Sequence, residues 1–122
     1  MFLKPINPTG LSYAQAVELT KFNRLVFVSG QVPETSDGTI PGDFRSQCVL
    51  AWQNVEAQLK AAGMKLDNLV TVKVYLSDRQ YREENKQVRM EVLKAINPAL
   101  TIIITGIYDE RWLLEIEAVA AE

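Results

Sequence analysis

The chain has 122 residues, 48% of them apolar and 23% charged, with a formal net charge of −2, one cysteine and no histidine. That length supports one self-standing core, while a lone Cys48 and the lack of histidine exclude an intrachain disulfide, Cys/His zinc sites and histidine-based triads. The acidic balance argues against nucleic acid as a partner, and short apolar runs interrupted by Pro5 and Pro8 exclude a membrane span or signal core, so a cytoplasmic protein is expected.

From Tyr13 to Leu19 and from Leu25 to Ser29 two strand-like runs flank polar Lys21, Asn23 and Arg24, a spacing that suits a hairpin. Pro33, Asp37, Gly38, Pro41 and Gly42 then crowd into a stretch that neither helix nor central strand tolerates, which predicts a surface loop. Asp43 is placed to cap a helix whose Cys48, Trp52, Val55, Leu59 and Ala62 fall on one stripe, with Gly63 ending it. From Val70 to Leu76 the pattern changes to period two: Val70, Val72, Val74 and Leu76 face one way, Thr71, Lys73 and Tyr75 the other.

Ser77 and Gln80 have capping-box spacing, and Tyr81, Asn85, Val88, Val92 and Ile96 mark the inner side of a second helix that Asn97-Pro98 stops. Arg79, Arg82, Arg89 and the pair Glu83-Glu84 are read as that helix's solvated face. Leu100 to Ile107 sets Ile102 and Ile104 against Ile103 and Ile107, so both faces of this strand should be covered. A last strand, Leu113 to Ala120, is joined to it as a neighbour through Tyr108-Asp109-Glu110-Arg111. The order is β-β-α-β-α-β-β. Two helices cover one face of such a sheet only, and a second copy of the chain is the economical cover for the other.

Specific runs carry a family resemblance. Tyr13-Ala14-Gln15-Ala16-Val17, Val26-Phe27-Val28-Ser29-Gly30-Gln31-Val32-Pro33, Gly42-Asp43, Gln47, Asn54-Val55, Ala61-Ala62-Gly63, Val74-Tyr75-Leu76-Ser77-Asp78, Asn85, Pro98-Ala99 and Glu115-Ile116-Glu117-Ala118 resemble, nearly end to end, the Rid (YjgF) family, known for enamine/imine deaminases. The resemblance implies a chorismate-mutase-like α+β fold: one mixed sheet with two helices on one face. It also implies a homotrimer whose sheets form a central barrel, with ligand clefts between subunits and no cofactor. The residues it points to for the cleft are Tyr13, Ser29, Gly30, Asn85 and Glu115, with Glu115 in the catalytic role of positioning or deprotonating water.

Where the family's Pro-Ala-Arg motif has its arginine, this chain has Leu100. Leucine cannot supply the two parallel charge-assisted hydrogen bonds that hold a substrate carboxylate, so a changed substrate range is expected. Lys73 is one candidate replacement cation; its plainer reading is an ion pair with Glu115 or Glu117 on a neighbouring strand. Asn85 reads equally as a fastening of the helix, and Cys48 as a small hydrophobe. The small-molecule ligand expected is an imine, an enamine or a keto compound, and three functions stay open: C=N hydrolysis of a small imine or enamine, a noncatalytic ligand-binding or protein-stabilising trimer, and, against the charge balance, a ribonuclease or translation inhibitor.

Overall fold

The computed structural model describes residues 1–122. It contains strands β1 (Phe2–Pro8), β2 (Ala14–Thr20), β3 (Leu25–Gln31), β4 (Leu69–Leu76), β5 (Ala99–Ile104) and β6 (Leu114–Ala121). Helices α1 (Phe44–Ala61) and α2 (Arg82–Leu93) and two short 3-10 turns complete it. The strands make one mixed sheet in the order β1-β2-β5-β4-β6-β3, so the expected α+β architecture holds with one strand more. The extra strand is β1, antiparallel to β2 with Pro5 opposite Val17. Its prolines are tolerated because β1 is the outermost strand, where a missing donor leaves no neighbour unpaired.

Two pairings differ from expectation. Tyr13–Leu19 and Leu25–Ser29 do not form a hairpin: β2 turns back on β1, whereas β3 runs to the far edge and pairs with β6. The reason lies at the chain's end, where Asn23 and Arg24 donate backbone hydrogen bonds to Glu122 O at 2.8 and 2.9 Å and Leu25 registers with Ala121. Nor are the last two strands neighbours, since β4 lies between them, parallel to β5 and antiparallel to β6. The β5 strand stops at Ile104, so Ile107 lies in the irregular connection to β6.

Asp43 caps α1 by accepting from Ser46 N at 2.9 Å, and Gly63 follows the helix at φ +75°, where a side chain would be strained. On α2 the cap moves by one residue. Asp78, not Ser77, accepts from Gln80 N at 2.8 Å and starts a 3-10 turn that leads into the helix. The stripe Cys48, Trp52, Val55 and Leu59 is buried against Val72, Val74, Leu76, Leu114 and Ile116, all on the helix side of the sheet. Phe44 stacks on Tyr81 with ring centroids 4.6 Å apart, joining the start of α1 to that of α2.

Burial pushes the Cys48 thiol from its ordinary 9.0 up to about 12. A raised pKa means the fold favours the neutral thiol. Its contribution to stability is therefore complete below about pH 9 and is lost as pH climbs toward 12, with a slope of at most about 1.4 kcal/mol per pH unit. Urea unfolding at pH 8 and pH 10.5 should show a steeper loss for the natural chain than for Cys48→Ala. Equal slopes would show that the thiol is not shielded.

Candidate functional site

The register sorts side chains into two faces. On the helix side Val72, Val74 and Leu76 of β4 lie beside Leu100, Ile102 and Ile104 of β5. Because α1 packs across β3 and β6, the β5 end of this face is roofed only partly, by α2. The gap is an open cleft of about 890 Å³. Tyr13, Asn85 and Leu100 all line it, so the structure brings together three of the sequence-predicted site residues. Asn85 is 1% exposed, and its Oδ1 accepts a long 4.0 Å contact from Cys48 Sγ.

A further residue in this cleft corrects the sequence reading. Arg89 is not on a solvated helix face but 3% exposed, with Nε and Nη2 donating to Leu11 O at 3.3 and 3.1 Å. Its guanidinium sits 5.4 Å from the centre of the Tyr13 ring. Helical spacing held the signal: Arg89 follows Asn85 by four residues and therefore shares its inward side. The charge of arginine argued the other way.

The open face carries the rest. Tyr75 registers with Glu115, Lys73 with Glu117 and Thr71 with Val119, and Phe27 lies beside Val119. Phe27 is 73% exposed. Lys73 Nζ lies 3.9 Å from Glu117, and the Tyr75 hydroxyl donates to the same carboxylate, which raises the pKa of the tyrosine. Lys73 thus takes the plainer role of a cross-strand partner. It points away from the face that carries Leu100, since Val72 registers with Leu100 and Lys73 with Thr101.

Ser29 and Gly30 fall in a register irregularity of β3 between Val28 and Gln31. A Cβ built on Gly30 would stand 1.9 Å from Glu115 Oε2, so only glycine lets the carboxylate lie over this stretch of backbone. Two amides, the buried Gln47 and the half-buried Asn54, hold the neighbouring loops. Gln47 donates to Pro41 O at 2.9 Å and Arg111 O at 3.0 Å and accepts from Leu113 N at 2.8 Å, fixing the entry to β6 two residues before Glu115. Asn54 donates to Val32 O at 2.8 Å and Glu34 O at 3.2 Å, holding the exit from β3.

The predicted site therefore divides in two. Tyr13, Asn85 and Leu100 share the cleft near β5, whereas Ser29, Gly30 and Glu115 gather near the β3 edge, with β4 and β6 in the sheet between β5 and β3.

The family described as Endoribonuclease L-PSP matches residues 6–122. A RutC family protein of Pyrococcus horikoshii is 33% identical over 119 residues, covering 96% of this chain and 89% of the relative. The chain belongs to the Rid family. Protein mmf2, mitochondrial, of Schizosaccharomyces pombe is 34% identical, with 97% of each chain covered. Among solved structures, the Rid protein YyfB of Yersinia pestis superposes with a TM-score of 0.87 at 22% identity over 100% of both chains, a likeness of fold. Escherichia coli TdcF with bound serine gives a TM-score of 0.75 at 28% identity, covering 98% of this chain and 93% of that one. No helix of the present Rid chain is long and apolar enough to cross a membrane.

Proposed function

We propose that three copies of the chain pack their open sheet faces into a central barrel and that each cleft between neighbours takes a small nitrogen-containing metabolite. The division of the site carries this reading. The cleft at β5 and the Glu115–Gly30 pair belong to separate parts of one chain, and a neighbouring copy is what would set one opposite the other. The uncovered Phe27, Leu25 and Ile103 supply apolar surface for the contact. The serine bound by the TdcF relative has the size and polarity such a cleft would take.

In the reaction proposed for this site, Glu115 takes a proton from water as the water oxygen bonds to the C=N carbon. The C=N π pair moves to nitrogen, which takes that proton back from Glu115; as the C–N bond of the resulting carbinolamine breaks, its hydroxyl proton passes through Glu115 to the departing nitrogen, ammonia or an amine leaves, and a carbonyl remains. Backbone groups beside Gly30 orient the reacting carbon. The test is light scattering on the purified chain together with ammonia release from short-lived imines made from amino acids with and without a free carboxylate. A mass of three chains at micromolar concentration and ammonia above the uncatalysed rate are expected. A monomer would leave the cleft without its second wall and overturn the reading.

Leu100 favours a second reading, a noncatalytic ligand-binding trimer, since the position usually filled by the family's arginine is hydrocarbon. A trimer inert toward every imine would select it. A ribonuclease role has less behind it, because the cations of α2 gather around one cleft and the chain's net charge is −2.

A further inference from the structure

The cleft at β5 has a charge that its own chain does not balance. Arg79, Arg82, Lys86 and Arg89 line it against one carboxylate, Glu83, which is itself paired with Lys86 at 3.3 Å. Three of these cations lie toward solvent, where water screens them. Arg89 does not: it is buried, and its side-chain contacts are the Leu11 carbonyl and the face of Tyr13, with no acid within ion-pairing distance. Desolvation draws its pKa down from the usual arginine value, a sign of how little in the fold compensates the charge.

A buried cation without a counter-ion is costly, and an anion entering the cleft would relieve it. The fork is also held ready. Nε and Nη2 are pinned by Leu11 O and the plane is packed near Tyr13, so a ligand would meet a guanidinium whose orientation is already set. The β5 wall of the same cleft is aliphatic, made by Leu100, Ile102 and Ile104.

We infer that Arg89 is the anion anchor of this protein's cleft, reached from α2 rather than β5, and that the ligand is a monocarboxylate with a branched aliphatic or aromatic body lying on Leu100, Ile102 and Ile104. This rests on the cleft being the ligand site proposed above. One guanidinium neutralises one carboxylate, and the rest of the ligand meets the aliphatic wall of Leu100, Ile102 and Ile104. Hence a short acid such as 2-oxopropanoate should bind more weakly than a branched one.

The test is calorimetric binding of 4-methyl-2-oxopentanoate and its neutral amide to the full chain, to Arg89→Met and to Arg89→Lys. Light-scattering mass and melting curves report whether each variant is folded. The natural chain should prefer the acid by about tenfold or more, the weight of a charge-assisted hydrogen-bonded pair. Arg89→Met should reduce that preference to near unity, and Arg89→Lys, which keeps the charge but loses the fork, should fall between them. If the acid preference survives in folded Arg89→Met, or if the natural chain binds acid and amide alike, the assignment is overturned while the ligand cleft stands. Acid-selective binding lost in Arg89→Met, without ammonia release from any imine, supports the anchor and removes only the hydrolytic reading. Binding of neither probe by the natural chain overturns both.

Discussion

Glu115→Gln should lower ammonia release from imines by about 10²- to 10⁴-fold, the usual worth of a positioned general base, with mass and melting temperature unchanged. Glutamine keeps the shape and loses the ability to take a proton. A sharper version leaves the carboxylate in place chemically and moves it. In Gly30→Ala the new Cβ falls 1.9 Å from Glu115 Oε2 and 2.7 Å from its Cδ, so the glutamate has to rotate away. A displacement of this order should cost about 10²-fold in turnover. Activity retained in both variants would remove Glu115 from the mechanism; activity lost in Glu115→Gln but kept in Gly30→Ala would show that the base works from another rotamer.

Phe27→Glu should convert a particle of three times 13.7 kDa into single chains, as read by light scattering at about 10 μM. Phe27 is 73% exposed beside Val119 on the face that no helix covers. Burying such a ring is worth about 2 kcal/mol per copy, and glutamate would replace that gain with an unpaired carboxylate in each of three equivalent contacts. Because the side chain lies outside the buried core cluster, the melting curve of the variant should still report a folded chain. A Phe27→Glu protein that stays trimeric would place the assembly contact on another surface. The same variant should lose ligand binding with assembly, which separates it from Glu115→Gln, where binding persists.

The local elements were legible because each is stated by its own residues. The α1 stripe of Cys48, Trp52, Val55 and Leu59, the Asp43 cap and the alternation of Val72, Val74 and Leu76 are short-range patterns that burial in the sheet only confirms. Partner choice was less legible. Nothing within Leu25–Ser29 says that its neighbour is the chain's last strand, since the hydrogen bonds that decide it come from Glu122. Strand β1 was hidden by Pro5 and Pro8, whose cost vanishes at a sheet edge that only the full topology creates.

For the site, family motifs pointed to Tyr13, Asn85 and Leu100, which the fold does gather around one cleft. Arg89 was assigned by its charge to the solvent side, although its spacing from Asn85 assigned it inward. Charge decides the face of a helix only when water is the sole partner available. Here a carbonyl from a distant turn and an aromatic ring supply the alternative.

The β1–β2 ribbon meets the remainder of the sheet at one parallel bridge, Ala14 to Ala99. Besides that joint it is fastened by Ala14 N to Pro98 O at 3.0 Å, Ser12 Oγ to Lys94 O at 2.6 Å and the Arg89 fork on Leu11 O. Those few latches sit at the ribbon's root, so the fourteen residues of β1 and β2 form a single leaf joined to the sheet beside Tyr13 at the cleft. Amide protons along β1 and β2 should then exchange together, ahead of those in β4 and β6, and a molecule seated beneath the tyrosine would slow the whole leaf at once.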